Sequence, residues 1–218
     1  MYRLYTTSWT VCALIAVWVL PSQAAMYEGS LSYDDGLYAT AKWADEDTTL
    51  SWTITDEDPS APAEYQWKYT YTLSVPKKDI SHFILEASNG ENPFTDANLT
   101  DVTGTDEYEV NLFSPGPSNP DMPGDLYGIK FDDLEEEQLT ISFFSDRDPV
   151  WGDFYAKGGK DKGTNLVMYN TGFTDDDPIT PASNGSLEGH ILRPDSIPEP
   201  SLLSLLTIGG VGLLIRRR

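Results

Sequence analysis

Two histidines, His82 and His190, are the only imidazoles in the chain, and an imidazole is the side chain best suited to proton transfer near neutral pH. His82 follows Ser81, the pair of residue types that a Ser–His nucleophile would use. Neighbouring side chains in a strand point to opposite faces, however, so Ser81 cannot be activated by the residue beside it. No G-x-S-x-G elbow is present, and no H-E-x-x-H helix offers a metal two imidazoles. Zinc would need at least three ligands drawn from the two histidines and carboxylates. Both histidines stand at strand starts, where a partly buried, hydrogen-bonded role is expected. No catalytic residue is assigned, and the chain is expected not to be an enzyme.

Paired carboxylates are the remaining catalytic route, because glycoside hydrolysis requires only two. Glu86 is the one acid inside the apolar run HFILEAS. It shares a face with His82 and Ile84, which would suit a perturbed acid or base. The opposite phase, Phe83 and Leu85, can supply the core, and that favours Glu86 as an outward-facing residue. Asp153, in DPVWGDFYAKGGKDKG, reads as a site residue or as a turn acid after Gly152. Trp151 stands between Pro149 and Gly152 and is the tryptophan expected to be exposed, where its ring could stack on a sugar. Trp43, Trp52 and Trp67 fall on the inward phase of strands. Trp151 and Asp153 are therefore the candidate ligand contacts.

Charge dominates the composition. Of 35 acidic side chains only Glu199 lies outside residues 26–197, and of 14 basic ones only Arg3 and the last three arginines do. The body therefore carries 34 acids against ten bases, a field that repels phosphate backbones and excludes nucleic acid as a partner. The acids cluster at Asp45-Glu46-Asp47, Asp56-Glu57-Asp58, Asp132-Asp133, Glu135-Glu136-Glu137 and Asp175-Asp176-Asp177. Such runs either keep a protein dispersed or bind calcium through oxygen ligands. No run matches the EF-hand spacing. The candidate metal residues are Asp175, Asp176 and Asp177, with Asp56 and Asp58 behind them; calcium is the expected ion, and no other cofactor is.

Period-two alternation must position these groups. In YQWKYTYTLSV, Tyr65, Trp67, Tyr69, Tyr71, Leu73 and Val75 alternate with polar residues, as in a half-buried strand. LYATAKW and LSWTI alternate likewise, and strands are also read in 81–88, 108–113, 127–131, 139–144, 153–157, 165–170 and 189–193. Asp35-Gly36, Asn89-Gly90, the Pro/Gly-rich stretch 114–125 and Gly158-Gly159 mark turns. FDDLEEEQL is the best candidate for a helical turn. Nine to eleven short strands predict a single all-β domain, an antiparallel β-sandwich or jelly roll. The only cysteine, Cys12, lies outside the body, so the core must do without disulfides.

The two ends carry an address. Arg3, the apolar run from Val11 to Leu20, and Ser22 and Ala24 read as a secretory signal peptide cleaved after Ala24. At the other end Pro198-Glu199-Pro200 precedes an uncharged segment from Leu202 to Ile215 and then Arg216-Arg217-Arg218. That segment is about 21 Å long as a helix, shorter than the ~20 residues of a comfortable bilayer span. The arginines would hold it at the cytoplasmic side.

Motif, short helix and basic stop in this order resemble the PEP-CTERM sorting signal of exported bacterial proteins, with Ile197 where the family often has valine. SHFILE and PVWGDFYAKGGK are also similar to segments of such proteins. The resemblance implies export by the secretion machinery, transient anchoring in the inner membrane, and removal of the tail by exosortase. It implies a final place at the cell surface or in an extracellular exopolysaccharide and biofilm matrix. Residues 1–24 are thus expected as signal peptide, 25–195 as the secreted acidic domain, and 196–218 as the sorting signal. The body is expected to be structural or adhesive, with a carbohydrate-binding module as first alternative and a matrix polysaccharide hydrolase as second.

Overall fold

A computed structural model describes residues 24–90 and 92–195. The signal peptide and the sorting motif read from the sequence therefore lie outside the described residues, except for Ala24. The described chain is all-β. Thirteen strands run in order: β1 (Met26–Tyr33), β2 (Gly36–Ala39), β3 (Thr49–Thr55), β4 (Trp67–Ser74), β5 (Ile80–Glu86), β6 (Leu99–Thr103), β7 (Glu107–Phe113), β8 (Leu126–Asp132), β9 (Gln138–Ser145), β10 (Asp148–Gly152), β11 (Phe154–Asp161), β12 (Thr164–Asn170) and β13 (Ile191–Asp195).

Eleven of them form one hydrogen-bonded ladder, in the order β6-β9-β4-β3-β1-β2-β12-β11-β5-β8-β7. All its pairs are antiparallel except β1–β2, which meet over only two residue pairs, Ser32 with Gly36 and Tyr33 with Leu37. The ladder curls so that its two arms face each other across the core. Tyr71 on β4 lies 5.9 Å from Phe83 on β5, and Phe131 on β8 lies 6.0 Å from Phe143 on β9, ring centre to ring centre. Alternation explains the inner face: Leu50, Trp52 and Ile54 of β3 and Trp67, Tyr69, Tyr71 and Leu73 of β4 all point inward and are buried.

The remaining strands, β10 and β13, form a two-stranded ribbon in which Pro149 sits opposite Pro194. Prolines are tolerated there because an edge ribbon does not need their missing N–H groups. Trp151, Ile191 and Leu192 of the ribbon join the main core. The hydroxyls of Tyr69 and Tyr71 donate at 2.8 Å to the carbonyls of Arg147 and Leu192, which fastens ribbon to sheet.

Three local expectations are corrected. Trp43 is not on a strand: β2 stops at Ala39, and Ala41–Trp43 is a 3-10 turn. The Thr40 hydroxyl takes the Val167 N–H at 3.0 Å and Ala41 adopts a φ of 51°, turning the ring inward, where its Nε1 donates to Lys77. Gly158-Gly159 lies inside β11; the β11–β12 hairpin turns instead at Lys162-Gly163, both at positive φ as a two-residue turn demands. The FDDLEEEQL run is not helical, because β8 and β9 claim its ends and Glu136 bridges to Ile80.

Strand β5 is buried on both faces. Phe83 and Leu85 enter the main core, while Ile84 packs in a second cluster with Tyr155, Val167, Phe113, Met122, Leu126 and Phe173. The Pro/Gly-rich stretch 114–125 folds over that outer face, held by the Tyr155 hydroxyl donating to Pro120 at 2.7 Å and Lys157 donating to Ser118.

Candidate functional site

Four strand ends and one loop converge where the ribbon meets the sheet. Glu86 ends β5, Asp153 sits between β10 and β11, and Asn170 ends β12. Arg193 and Asp195 come from β13, and Asp177 and His190 from the 171–190 connection. Three carboxylates therefore contact one guanidinium, with a fourth, Asp153, behind them. Arg193 donates to Asp195 at 2.7 Å and to Asp177 at 2.9 Å, and lies 3.3 Å from Glu86 Oε1. The other Glu86 oxygen accepts the backbone N–H of Asp153 at 2.8 Å. Asn170 bridges inward, accepting from the Phe154 N–H and donating to Asp153 Oδ1 at 2.7 Å.

Two glycines make the packing possible. A Cβ on Gly152 would stand 2.1 Å from Arg193 Nε and 2.6 Å from Glu86 Oε2. A Cβ on Gly172 would stand 2.6 Å from the His190 ring and 2.9 Å from the Glu188 carbonyl. Only backbone fits against either side chain.

The electrostatics follow from burial. Desolvation pushes the Glu86 carboxyl up to about 8, since Arg193 is shared with Asp177 and Asp195 and offsets this only in part. Desolvation also raises Asp153, to about 6, against the Asn170 hydrogen bond that favours its charge. Burial opposes the charge of Arg193, but the carboxylates of Glu86, Asp195 and Asp177 more than offset it and hold the guanidinium protonated. His190 is fully buried, with Nε2 3.7 Å from Asp153 and 3.8 Å from Asp177. One ligand atom each from Asp153, Asp177 and His190 lies within 4.8 Å of the other two.

Of the candidate residues read from the sequence, Asp153 and Asp177 meet here, and Asp175 and Asp176 stay exposed on the loop. Asp153 is buried and not a solvated turn acid. Glu86 is not outward-facing, because the ribbon covers that face and Arg193 engages it. Trp151 is only 1 % exposed and belongs to the core, so it offers no platform for a sugar. A groove of about 350 Å³ adjoins the site, lined by Asp177 and Arg193 together with Pro149, Pro178 and Ile179 among others. Asp56 and Asp58 lie elsewhere: Asp56 accepts the Ala25 N–H, and Asp58 is held below its usual range by Lys68 and Ser60.

Ser81 is exposed and His82 buried, in keeping with their opposite faces. Burial, then the charges of Lys130 and Lys157, push His82 down to about 4. Arg193 and Asn170 were not singled out in the sequence. Arg193 had one signal, a lone base in the apolar run GHILR, matching the lone acid Glu86 in HFILEAS. The chain matches no family model, no curated protein and no solved structure.

Proposed function

We propose that this chain is an exported bacterial β protein of the cell surface or extracellular matrix, with a structural or adhesive role, sorted by exosortase through a PEP-CTERM signal at residues 196–218. The observation that supports this best is the order of motifs in the sequence: Arg3 with the apolar run from Val11 to Leu20 at one end, and Pro198-Glu199-Pro200, the uncharged segment from Leu202 to Ile215 and three arginines at the other. The curled ladder is read as a jelly-roll-like sandwich whose arms are β3, β4 and β9 on one side and β5, β8 and β11 on the other. The acidic runs at 45–47 and 135–137 are exposed, while the large aromatic side chains fill the core. A body of this kind disperses in water and can bridge matrix through its charged surface.

Cell fractionation of the full chain and of a form lacking residues 198–218 tests the sorting. The full chain is expected at the outer surface with a mass reduced by loss of the tail, and the truncated form is expected elsewhere. Unchanged location and mass would overturn the reading.

One observation favours carbohydrate binding as a second reading. Tyr38 on β2 and Tyr169 on β12 stack at 4.7 Å, and Tyr38 is 43 % exposed. Such a surface pair offers the flat apolar face that sugar rings cover. Loss of exopolysaccharide retention in Tyr38→Ala would support it.

A further inference from the structure

We propose that Asp153, Asp177 and His190 bind a single divalent cation of the zinc class, which ties the 171–190 connection to the β10–β11 junction. The site lies within the described β domain and does not depend on the sorting signal. His190 Nδ1 lies 3.2 Å from the Leu187 carbonyl, which can only accept, so Nδ1 carries the proton. The lone pair of Nε2 is then left to face the interior.

What it faces is two carboxylate oxygens, at 3.7 and 3.8 Å, and Nε2 has no hydrogen-bond partner although it is buried. A proton on Nε2 would not cure this, because those distances exceed hydrogen-bond reach. Asp153 Oδ1 already takes the Asn170 amide, but the fully buried Nε2 lone pair faces two carboxylates with no donor of its own, an arrangement that a cation between the three would relieve. Arg193 does not fill the gap, since it takes the far oxygen of Asp177, Oδ2, while Oδ1 is the atom nearest His190.

The geometry suits a metal. Bonds of about 2.1 Å in a tetrahedral site set ligand atoms about 3.4 Å apart, close to the two histidine–carboxylate gaps of 3.7 and 3.8 Å, and the three atoms all lie within 4.8 Å of one another. Each ligand is also oriented by a neighbour: Arg193 holds the far oxygen of Asp177, the Leu187 carbonyl takes Nδ1 of His190, and Asn170 donates to Oδ1 of Asp153, the same oxygen that faces His190 and that would accept it alongside the ion. One imidazole with two carboxylates favours zinc and its neighbours over calcium, which prefers six to eight oxygens. Three protein ligands leave a fourth position for water.

The test uses the full chain, stripped of divalent ions with a chelator and titrated with Co2+ as a spectroscopic stand-in and with Zn2+. Visible cobalt bands saturating at about one ion per chain are expected, with displacement by Zn2+. Asp177→Asn and His190→Gln are each expected to weaken binding tenfold or more and to change the bands. Asp177 is partly exposed, so its variant decides the matter if His190→Gln does not fold. His82→Gln and the double change Asp175→Asn with Asp176→Asn are expected to bind as the parent does. Absence of binding by the parent, binding unmoved by Asp177→Asn, or binding abolished by the Asp175 and Asp176 change would overturn the proposal.

Discussion

His82 and His190 are both buried, and each leaves Nε2 without a hydrogen bond, yet their neighbours carry opposite charge. His82 lies on the outer face of β5, beside the Tyr155 ring at 6.0 Å and near Lys130, Lys157, Asp132 and Asn119. Burial, with the two lysines adding to it, keeps it neutral. His190 lies where carboxylates outnumber bases, with Asp153 and Asp177 against it and Glu86, Arg193 and Asp195 behind them. The same side chain is therefore an inert part of a core in one place and a candidate ligand in the other. Residue type does not separate the two sites; the sign of the surrounding charge does.

The largest effect expected comes from emptying the acidic site of its base. Arg193→Met leaves Glu86, Asp177 and Asp195 without their shared cation, and a broken buried pair costs about 3–5 kcal/mol. Urea unfolding of the ion-free chain would show it as a lower midpoint. A change near zero would mean that the carboxylates are not held as an ion cluster.

At the His82 site, pH does the corresponding work. Its folded value of about 4 lies below the ordinary 6.5, so the unfolded chain takes up the proton first as pH falls. Stability from this group is full above pH 6.5 and is lost between 6.5 and 4. The loss amounts to about 3 kcal/mol for a gap of this size. Denaturation across that range should show the acid limb in the parent and a flatter one in His82→Gln. An identical limb in both would assign the acid sensitivity elsewhere.

Gly172→Ala should cost about 1–3 kcal/mol by overpacking, because the new methyl meets the His190 ring and the Glu188 carbonyl. Thermal melts would read that cost, and cobalt titration would read the accompanying loss of affinity. A variant as stable as the parent, with unchanged affinity, would show that the ring has room to move.

The smallest effect concerns the charge beside His82. Lys130→Met removes one of the charges that depress His82, so the His82 midpoint seen by NMR should move up from about 4 toward its ordinary value. No movement would leave burial and Lys157 as the causes.

Much of the sheet was legible in the sequence, because alternation in β3, β4 and β9 records one wet and one buried face. Strand β1 hid behind GSLS, where small polar residues leave little contrast, and β10 behind Pro149 and Gly152. The acidic site was legible only in pieces. Asp153, Asp177 and Glu86 were visible as acids, but sequence distance conceals that residues 67 positions apart hydrogen-bond, as Asp153 and Glu86 do. Trp151 misled for the same reason: its Pro and Gly neighbours signal a loop, whereas pairing with β13 carries the ring into the core.

The most direct measurement is anomalous diffraction at the zinc edge from crystals of the full chain grown with Zn2+. One strong peak is expected about 2.1 Å from His190 Nε2 and within bonding distance of Asp153 and Asp177. A peak at Asp175 and Asp176 instead, or none near His190, would contradict the proposed site.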